Sequence, residues 1–210
     1  NSFCTLLAPP ASHPLLFLLM PIKLPAAVKV DDVDYTTHLV LVGSDSDEEG
    51  FAVPRKAVAL SGFLTDLLAT TEEGEELKIP INNLHPEAAR AIACWMNHFA
   101  DSAEAPRAGD IPRPAPETNG DLVPRGEVTA FEADFVAAVL PALGSTELRM
   151  HVTLLNAANF LNVRQLLILL SCALAIRFRG MDLDQIRDLM AKQLPLTVAE
   201  EFEWPAHLVQ

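Results

Sequence analysis

Hydrophobic positions in the first half of the chain follow first the pattern of strands and then that of a helix. His38–Val42 is an apolar, β-branched-rich run, and an acidic turn separates it from a second short apolar run, Phe51–Val53. Two such runs around a polar turn predict a β-hairpin. From Pro54 to Leu68 the valines and leucines recur near helical spacing, which predicts one helix. Leu77–Pro80 is a short third run, so the pattern predicts three strands.

A longer helix is predicted to follow His85, because Pro86 suits the first turn of a helix. Five residues at helical spacing are expected to form its buried face: Ala89, Ile92, Trp95, Met96 and Phe99. From Asp101 to Glu127 this pattern ends, since prolines and glycines accumulate and large apolar residues become scarce. Such a composition indicates a flexible loop or linker.

Two amphipathic helices are predicted after this linker. The apolar residues between Phe131 and Leu140 recur at the spacing of a short helix. Ser145 has the position of an N-cap for the next helix, whose apolar face includes Leu148 and Leu155.

The last third of the chain is the most apolar. Arg164–Phe178 predicts a helix, and Gly180 is placed to follow its end in the left-handed conformation. Asp182 and Gln185 have the spacing of a capping pair for one more helix, which is expected to continue through Met190.

The charge of the chain argues against two classes of partner. It carries 28 acidic and 15 basic residues, with a formal net charge of −13. Nucleic acids and anionic membrane surfaces both require clustered lysines and arginines, which are scattered here. Leu15–Met20 is apolar but too short to span a bilayer. We therefore expect neither a nucleic acid nor a membrane as a partner.

The sequence contains little catalytic or metal-binding chemistry. Cys4, Cys94 and Cys172 are too few and too irregular for a disulfide framework, which fits a reducing compartment. Cys94 and His98 could lie on one helical face, but a structural zinc site needs four ligands. His151 is a lone histidine in an apolar helix, where a core or interface role is the more common one. We expect no enzyme activity, no cofactor and no metal.

Three segments resemble a known family. HLVLVGSDSDEEGFAV (38–53) resembles the opening hairpin of BTB/POZ domains, and CWMNHFAD (94–101) resembles a helix end of the family with Trp and Cys in swapped order. LLNAANFLNVRQLLILLSCALAIRFRG (154–180) is similar to the signature of the S-phase kinase-associated protein (Skp) family. Members of that family join F-box proteins to a cullin in SCF ubiquitin ligases. The chain continues through FRGMDLDQIRDLM (178–190), which resembles helices that the Skp family has and elongin C lacks.

The resemblance implies an α/β (α+β) class and a BTB/POZ fold: a small three-stranded sheet with helices, plus a C-terminal helical extension. Residues 1–36 would be an N-terminal extension, expected to be disordered, and residues 37–100 the first part of the BTB/POZ domain. Residues 101–127 would be the linker and 128–163 the remainder of the domain. Residues 164–210 would be the helical region that binds the F-box.

The resemblance also implies two binding surfaces. Asn159 and Phe160 would face the cullin. The F-box-binding residues would be Ser171, Leu174, Phe178, Ile186, Leu189 and Met190. Leu174 and Phe178 would also suit an internal core, so the two interpretations stay open at this point.

The function that this family implies is that of an adaptor, without enzyme activity, in the nucleus and cytoplasm. Its partners would be a cullin and F-box proteins, and a homodimer is an alternative for the free protein. Three other functions remain: an elongin C-like adaptor, a BTB self-association protein with a structural or transcriptional role, and an unrecognised enzyme, which has almost no support in the sequence. The sequence departs from the family at Ile168, where an acidic residue is usual, and in the tail after Met190.

Overall fold

The computed structural model describes residues 22–43, 48–71, 78–80, 85–118, 120–140 and 148–193, which form a mixed α/β fold. The strands are β1 (Val28–Lys29), β2 (His38–Val42), β3 (Glu49–Pro54) and β4 (Lys78–Pro80). The α-helices are α1 (Gly62–Leu68), α2 (Pro86–Asp101), α3 (Ala130–Val139), α4 (Arg149–Phe160), α5 (Arg164–Phe178) and α6 (Leu183–Gln193). Short 3-10 helices cover Val30–Asp32, Arg55–Leu60 and Ala108–Asp110.

The sheet has the strand order β1-β3-β2-β4. β2 and β3 are antiparallel, as the hairpin pattern predicts, and β4 runs parallel to β2. The prediction of three strands is wrong, because β1 adds a fourth along β3 and pairs Val28 with Gly50. A Cβ atom on Gly50 would lie 2.4 Å from Cγ1 of Val40, so this central position requires glycine.

The described part of the N-terminal extension differs from the expected disorder. Beyond β1, the side chain of Val30 is buried, and its carbonyl accepts a hydrogen bond from the hydroxyl of Tyr35. A strand of two residues is too short to produce an alternating pattern, so its sequence does not reveal it. Residues 1–21 lie outside the described residues.

Helix α2 provides the largest part of the core. All five residues of its predicted apolar face are buried, and Ile92, Trp95 and Met96 are completely enclosed. The helix packs on β3, on the 3-10 helix at 55–60 and on α4. Its first turn is capped by His85, whose ring nitrogen accepts a hydrogen bond from the backbone N–H of Glu87.

The single helix predicted from Pro54 to Leu68 is interrupted at Ser61. This residue is extended (φ −127°, ψ 119°) and separates a 3-10 helix from α1. Its hydroxyl accepts a hydrogen bond from Leu64 N–H, 3.1 Å away, and donates one to the carbonyl of Leu161. The break exists because Ser61 acts as an N-cap and is completely buried against a distant turn.

The linker predicted to be flexible is attached to the rest of the protein at several buried positions. Ile111, Leu122 and Val123 are buried in the core. The carboxylate of Glu132 in α3 accepts backbone N–H hydrogen bonds from Arg107 and Ala108 at 3.1–3.2 Å. A few apolar side chains and one buried acceptor therefore fix a segment whose composition indicates flexibility.

The C-terminal helices end and begin largely as the sequence predicts. Gly180, which follows the C-cap residue Arg179 of α5, has φ +79°, and this confirms the predicted positive φ. Asp182 and Gln185 exchange hydrogen bonds of 2.8 and 3.0 Å between side chain and backbone, which confirms the capping pair of α6. Ser145 and the tail from 194 onward lie outside the described residues. No described helix has the length and apolar character needed to cross a membrane.

Candidate protein-docking surfaces

The turn between α4 and α5 is joined directly to the start of α1. Asn162 in this turn has φ +49°, and its carbonyl accepts a hydrogen bond of 3.1 Å from Gly62 N–H. The hydroxyl of Ser61 donates to the neighbouring Leu161 carbonyl. These two bonds place the first turn of α1 beside the last turn of α4.

An exposed aromatic pair lies at this junction, and we call it, together with Asn159, the aromatic corner. The ring centroids of Phe160 and Phe63 are 5.1 Å apart with an interplanar angle of 40°. Phe160 is 50% exposed, and Asn159 beside it is exposed as well. Large aromatic side chains that remain half in solvent are typical anchors of protein interfaces, because binding buries much apolar area at little entropic cost.

The predicted F-box-binding residues of α5 share one face of that helix. Ser171, Leu174 and Phe178 are separated by three and four residues, so they lie in one row. Ser171 is exposed, and the two apolar side chains are half-buried. Neither Leu174 nor Phe178 belongs to the hydrophobic core formed by the described residues. The structure therefore favours a surface position for both side chains over the internal-core interpretation.

Helix α6 presents the remaining predicted residues in the same manner. Ile186, Leu189 and Met190 are half-buried and lie at i, i+3 and i+4, outside the core of the described residues. The start of α6 adds two exposed apolar residues that the sequence interpretation missed: Met181 is 37% exposed and Leu183 69%. In the sequence, their position on either side of the capping residue Asp182 indicates that they lie at the start of a helix, where side chains are often exposed. We call the predicted residues of α5 and α6 the α5–α6 face.

The two surfaces lie at different positions along α5. The aromatic corner precedes Arg164, the first residue of this helix, whereas the α5–α6 face includes Ser171 midway along it and Phe178 at its end. At 1.5 Å per residue, Arg164 and Ser171 are about 10 Å apart along the helix axis, and Arg164 and Phe178 are about 21 Å apart.

Cys94 and His98 have structural surroundings. The thiol of Cys94 lies 3.7 Å from the carbonyl of Lys23, and burial raises its pKa. The ring of His98 stacks on Phe131 with centroids 3.5 Å apart, and burial lowers its pKa. Among the described residues, no group of three or more potential ligands could hold a metal ion. A packing role for both residues is favoured over zinc binding.

His151 is completely buried between α4 and α5. Its Nε2 atom lies 2.8 Å from the carbonyl of Leu170, so Nε2 carries the hydrogen, while Nδ1 has no hydrogen-bond partner among the described residues. Burial lowers its pKa, and the nearby charge of Arg177 lowers it further. A neutral, enclosed imidazole holds two helices together and is inaccessible to a substrate.

Glu132 is a buried charged residue that the sequence interpretation missed. Besides the linker, its carboxylate accepts a hydrogen bond of 2.9 Å from Thr129 N–H, and Glu132 N–H donates one to the Thr129 hydroxyl. This is a capping box at the start of α3. The Thr-x-x-Glu spacing was the signal for it in the sequence.

No family model matches the chain, and no curated protein is significantly similar to it. Membership of a family is therefore a proposal, which depends on the three sequence segments and on the two surfaces described above.

Proposed function

We propose that this protein is an adaptor of the Skp family, without enzyme activity, that joins a cullin to F-box substrate receptors in an SCF-type ubiquitin ligase. The observation that carries the proposal is the presence of two surfaces, one at the turn before α5 and the other on the second half of α5 and on α6. Each presents apolar side chains that lie outside the core, and each coincides with a position that the resemblance assigns to one partner. A scaffold of this kind acts by holding both partners, in the nucleus and cytoplasm, through burial of apolar area.

The order of the elements supports the BTB/POZ part of the proposal. A β-hairpin, a short helix, a third strand and a long helix follow one another as the resemblance implies, and helices α3 to α6 come after them. The fourth strand, β1, is an addition to the expected sheet.

Helix α6 favours an F-box partner over the receptor box of an elongin C-like adaptor. The resemblance places this helix among those that distinguish the Skp family. Its capping pair at Asp182 and Gln185 makes it a defined element with apolar residues on one face. A BTB self-association protein is a further alternative, and the experiment below distinguishes it from an adaptor.

The test is reconstitution from purified components. The full chain is mixed with the N-terminal half of a cullin and with an F-box segment, and the products are measured by size-exclusion chromatography with light scattering. We expect a 1:1:1 complex and a 1:1 complex with each partner alone. A stable homodimer that binds neither partner would overturn the adaptor proposal.

A further inference from the structure

A groove of about 380 Å³ lies between α5 and the segment that precedes α3. One wall belongs to α5, and the other belongs to residues 111–115 of the proline-rich segment. The lining includes Ile111, Arg113, Ala115, Ile168, Ser171 and Ala175. Ser171 belongs to this groove and to the α5–α6 face, so the groove adjoins the α5 part of that face.

The wall formed by residues 111–115 is attached to α5 at both ends. Before it, Gly109 N–H donates a hydrogen bond of 2.6 Å to the side-chain oxygen of Gln165 near the start of α5. After it, the guanidinium of Arg179, just beyond the end of α5, donates to the carbonyl of Ala115. Ile111 is buried between these attachments. The groove is therefore formed before any partner binds, which lowers the entropic cost of binding.

The lining of the groove is apolar with a positive rim. Leu167, Ile168 and Ala175 provide apolar surface, and Arg113 is exposed on the opposite wall. Arg179 adds a second positive charge through its contact with Ala115. No carboxylate occurs among the described residues that line the groove, although the chain as a whole carries a net charge of −13. Arg113 is thus the charged side chain of the described lining, and its sign is opposite to the net charge of the chain.

We propose that this groove receives an apolar side chain of an amphipathic helix whose neighbouring residues are aspartate or glutamate, and that this helix belongs to the partner bound at the α5–α6 face. Apolar anchors of a helix fit preformed grooves, and carboxylates beside them would pair with Arg113 and Arg179. The assignment of the partner rests on the proposed function. The chemistry of the groove rests on its own lining.

Two synthetic helical peptides test this chemistry on the full-length chain. They share one leucine-containing face and differ only in the flanking residues, which are glutamates in one peptide and lysines in the other. We expect the glutamate peptide to bind about fivefold more tightly in an NMR titration, with chemical-shift changes at Ile168 and Ser171. The net negative charge of the protein alone would favour the lysine peptide instead. The preference should weaken as salt is added.

Two variants in which a positive charge is replaced by a negative one provide matched controls for the peptide experiment. Arg113→Glu should abolish the preference, whereas Lys29→Glu, the same charge change on the exposed strand β1, should leave it unchanged. Ile168→Asp should weaken both peptides. A preference that is absent, or that survives Arg113→Glu, would overturn the proposal.

The F-box segment separates this proposal from the proposed function. If that segment binds equally to the wild-type chain and to Arg113→Glu and Ile168→Asp, the groove proposal fails and the adaptor proposal stands. If the chain binds the glutamate peptide as expected but no F-box segment, the adaptor proposal fails and the groove chemistry stands.

Discussion

The ring of Phe160 at the end of α4 packs against the ring of Phe63 in α1, with 5.1 Å between their centroids. The contact depends on the hydrogen bonds that join Ser61 and Gly62 to the turn after α4. The aromatic corner is therefore a product of tertiary structure and is not a property of α4 alone. A surface that combines two distant segments is present only in the folded protein.

Lysines at the aromatic corner should abolish cullin binding. We expect Asn159→Lys with Phe160→Lys to weaken the cullin complex at least tenfold, because the charges prevent burial of the Phe160 ring, and to leave F-box binding unchanged. Asn159 is exposed and Phe160 loses only its contact with Phe63, so the free energy of unfolding should fall by about 1–2 kcal/mol and the protein should stay folded. Isothermal titration with each partner measures the effect. Ala137→Lys with Ala138→Lys, on the exposed part of α3, is the matched control and should bind the cullin normally.

Aspartates on α5 should have the reverse effect. Leu174→Asp with Phe178→Asp places two carboxylates on the α5–α6 face, so we expect loss of F-box binding with retained cullin binding. These side chains are outside the core of the described residues, so the protein should stay folded, as circular dichroism and a thermal melt would show. Loss of both partners together with unfolding would assign Leu174 and Phe178 to the core and contradict our site.

The elements that were predicted correctly are those whose residues follow a pattern within a short stretch of the chain. The hairpin β2–β3 was predictable because two apolar runs flank a polar turn. The buried face of α2 was predictable because helical spacing continues over several residues. Gly180 and the pair Asp182–Gln185 were readable because each satisfies the backbone at a helix end through neighbours in sequence.

The features that were missed depend on residues far apart in the chain. The break at Ser61 depends on Leu161, and strand β1 depends on pairing with β3. The same holds for the candidate site, because apolar residues in α4 and α5 fit a core or a surface equally well by spacing. Phe63 has no signal in its own helix that would place it beside Phe160.

Glu132 should be essential for the packing of the proline-rich segment. In Glu132→Gln an amide N–H₂ replaces one acceptor that faces the backbone N–H groups of Arg107, Ala108 and Thr129, so donors are left without partners. We expect a loss of about 2–3 kcal/mol in the free energy of unfolding, measured with urea. Glu117→Gln, the same change at an exposed position, should cost less than about 0.5 kcal/mol. Equal values for the two variants would contradict the anchoring role of Glu132.

His151 should make the stability of the protein depend on pH. Burial holds its pKa in the folded protein below the ordinary value of 6.5, and Arg177 acts in the same direction. Below pH 6.5 the unfolded chain therefore binds more protons than the folded one, so stability is lost as the pH falls. Between pH 7.5 and 5.5 this loss is at most about 1.4 kcal/mol.

The test compares urea unfolding of the wild type and of His151→Gln at these two pH values. Glutamine can still donate a hydrogen bond to the carbonyl of Leu170 but does not titrate, so it retains the contact while removing the linked proton. We expect the variant to be less stable at pH 7.5 and to lose about 1 kcal/mol less than the wild type on acidification. Other groups titrate equally in both proteins and cancel in the difference. Parallel losses in the two proteins would mean that His151 is protonated as readily in the folded chain as in the unfolded one.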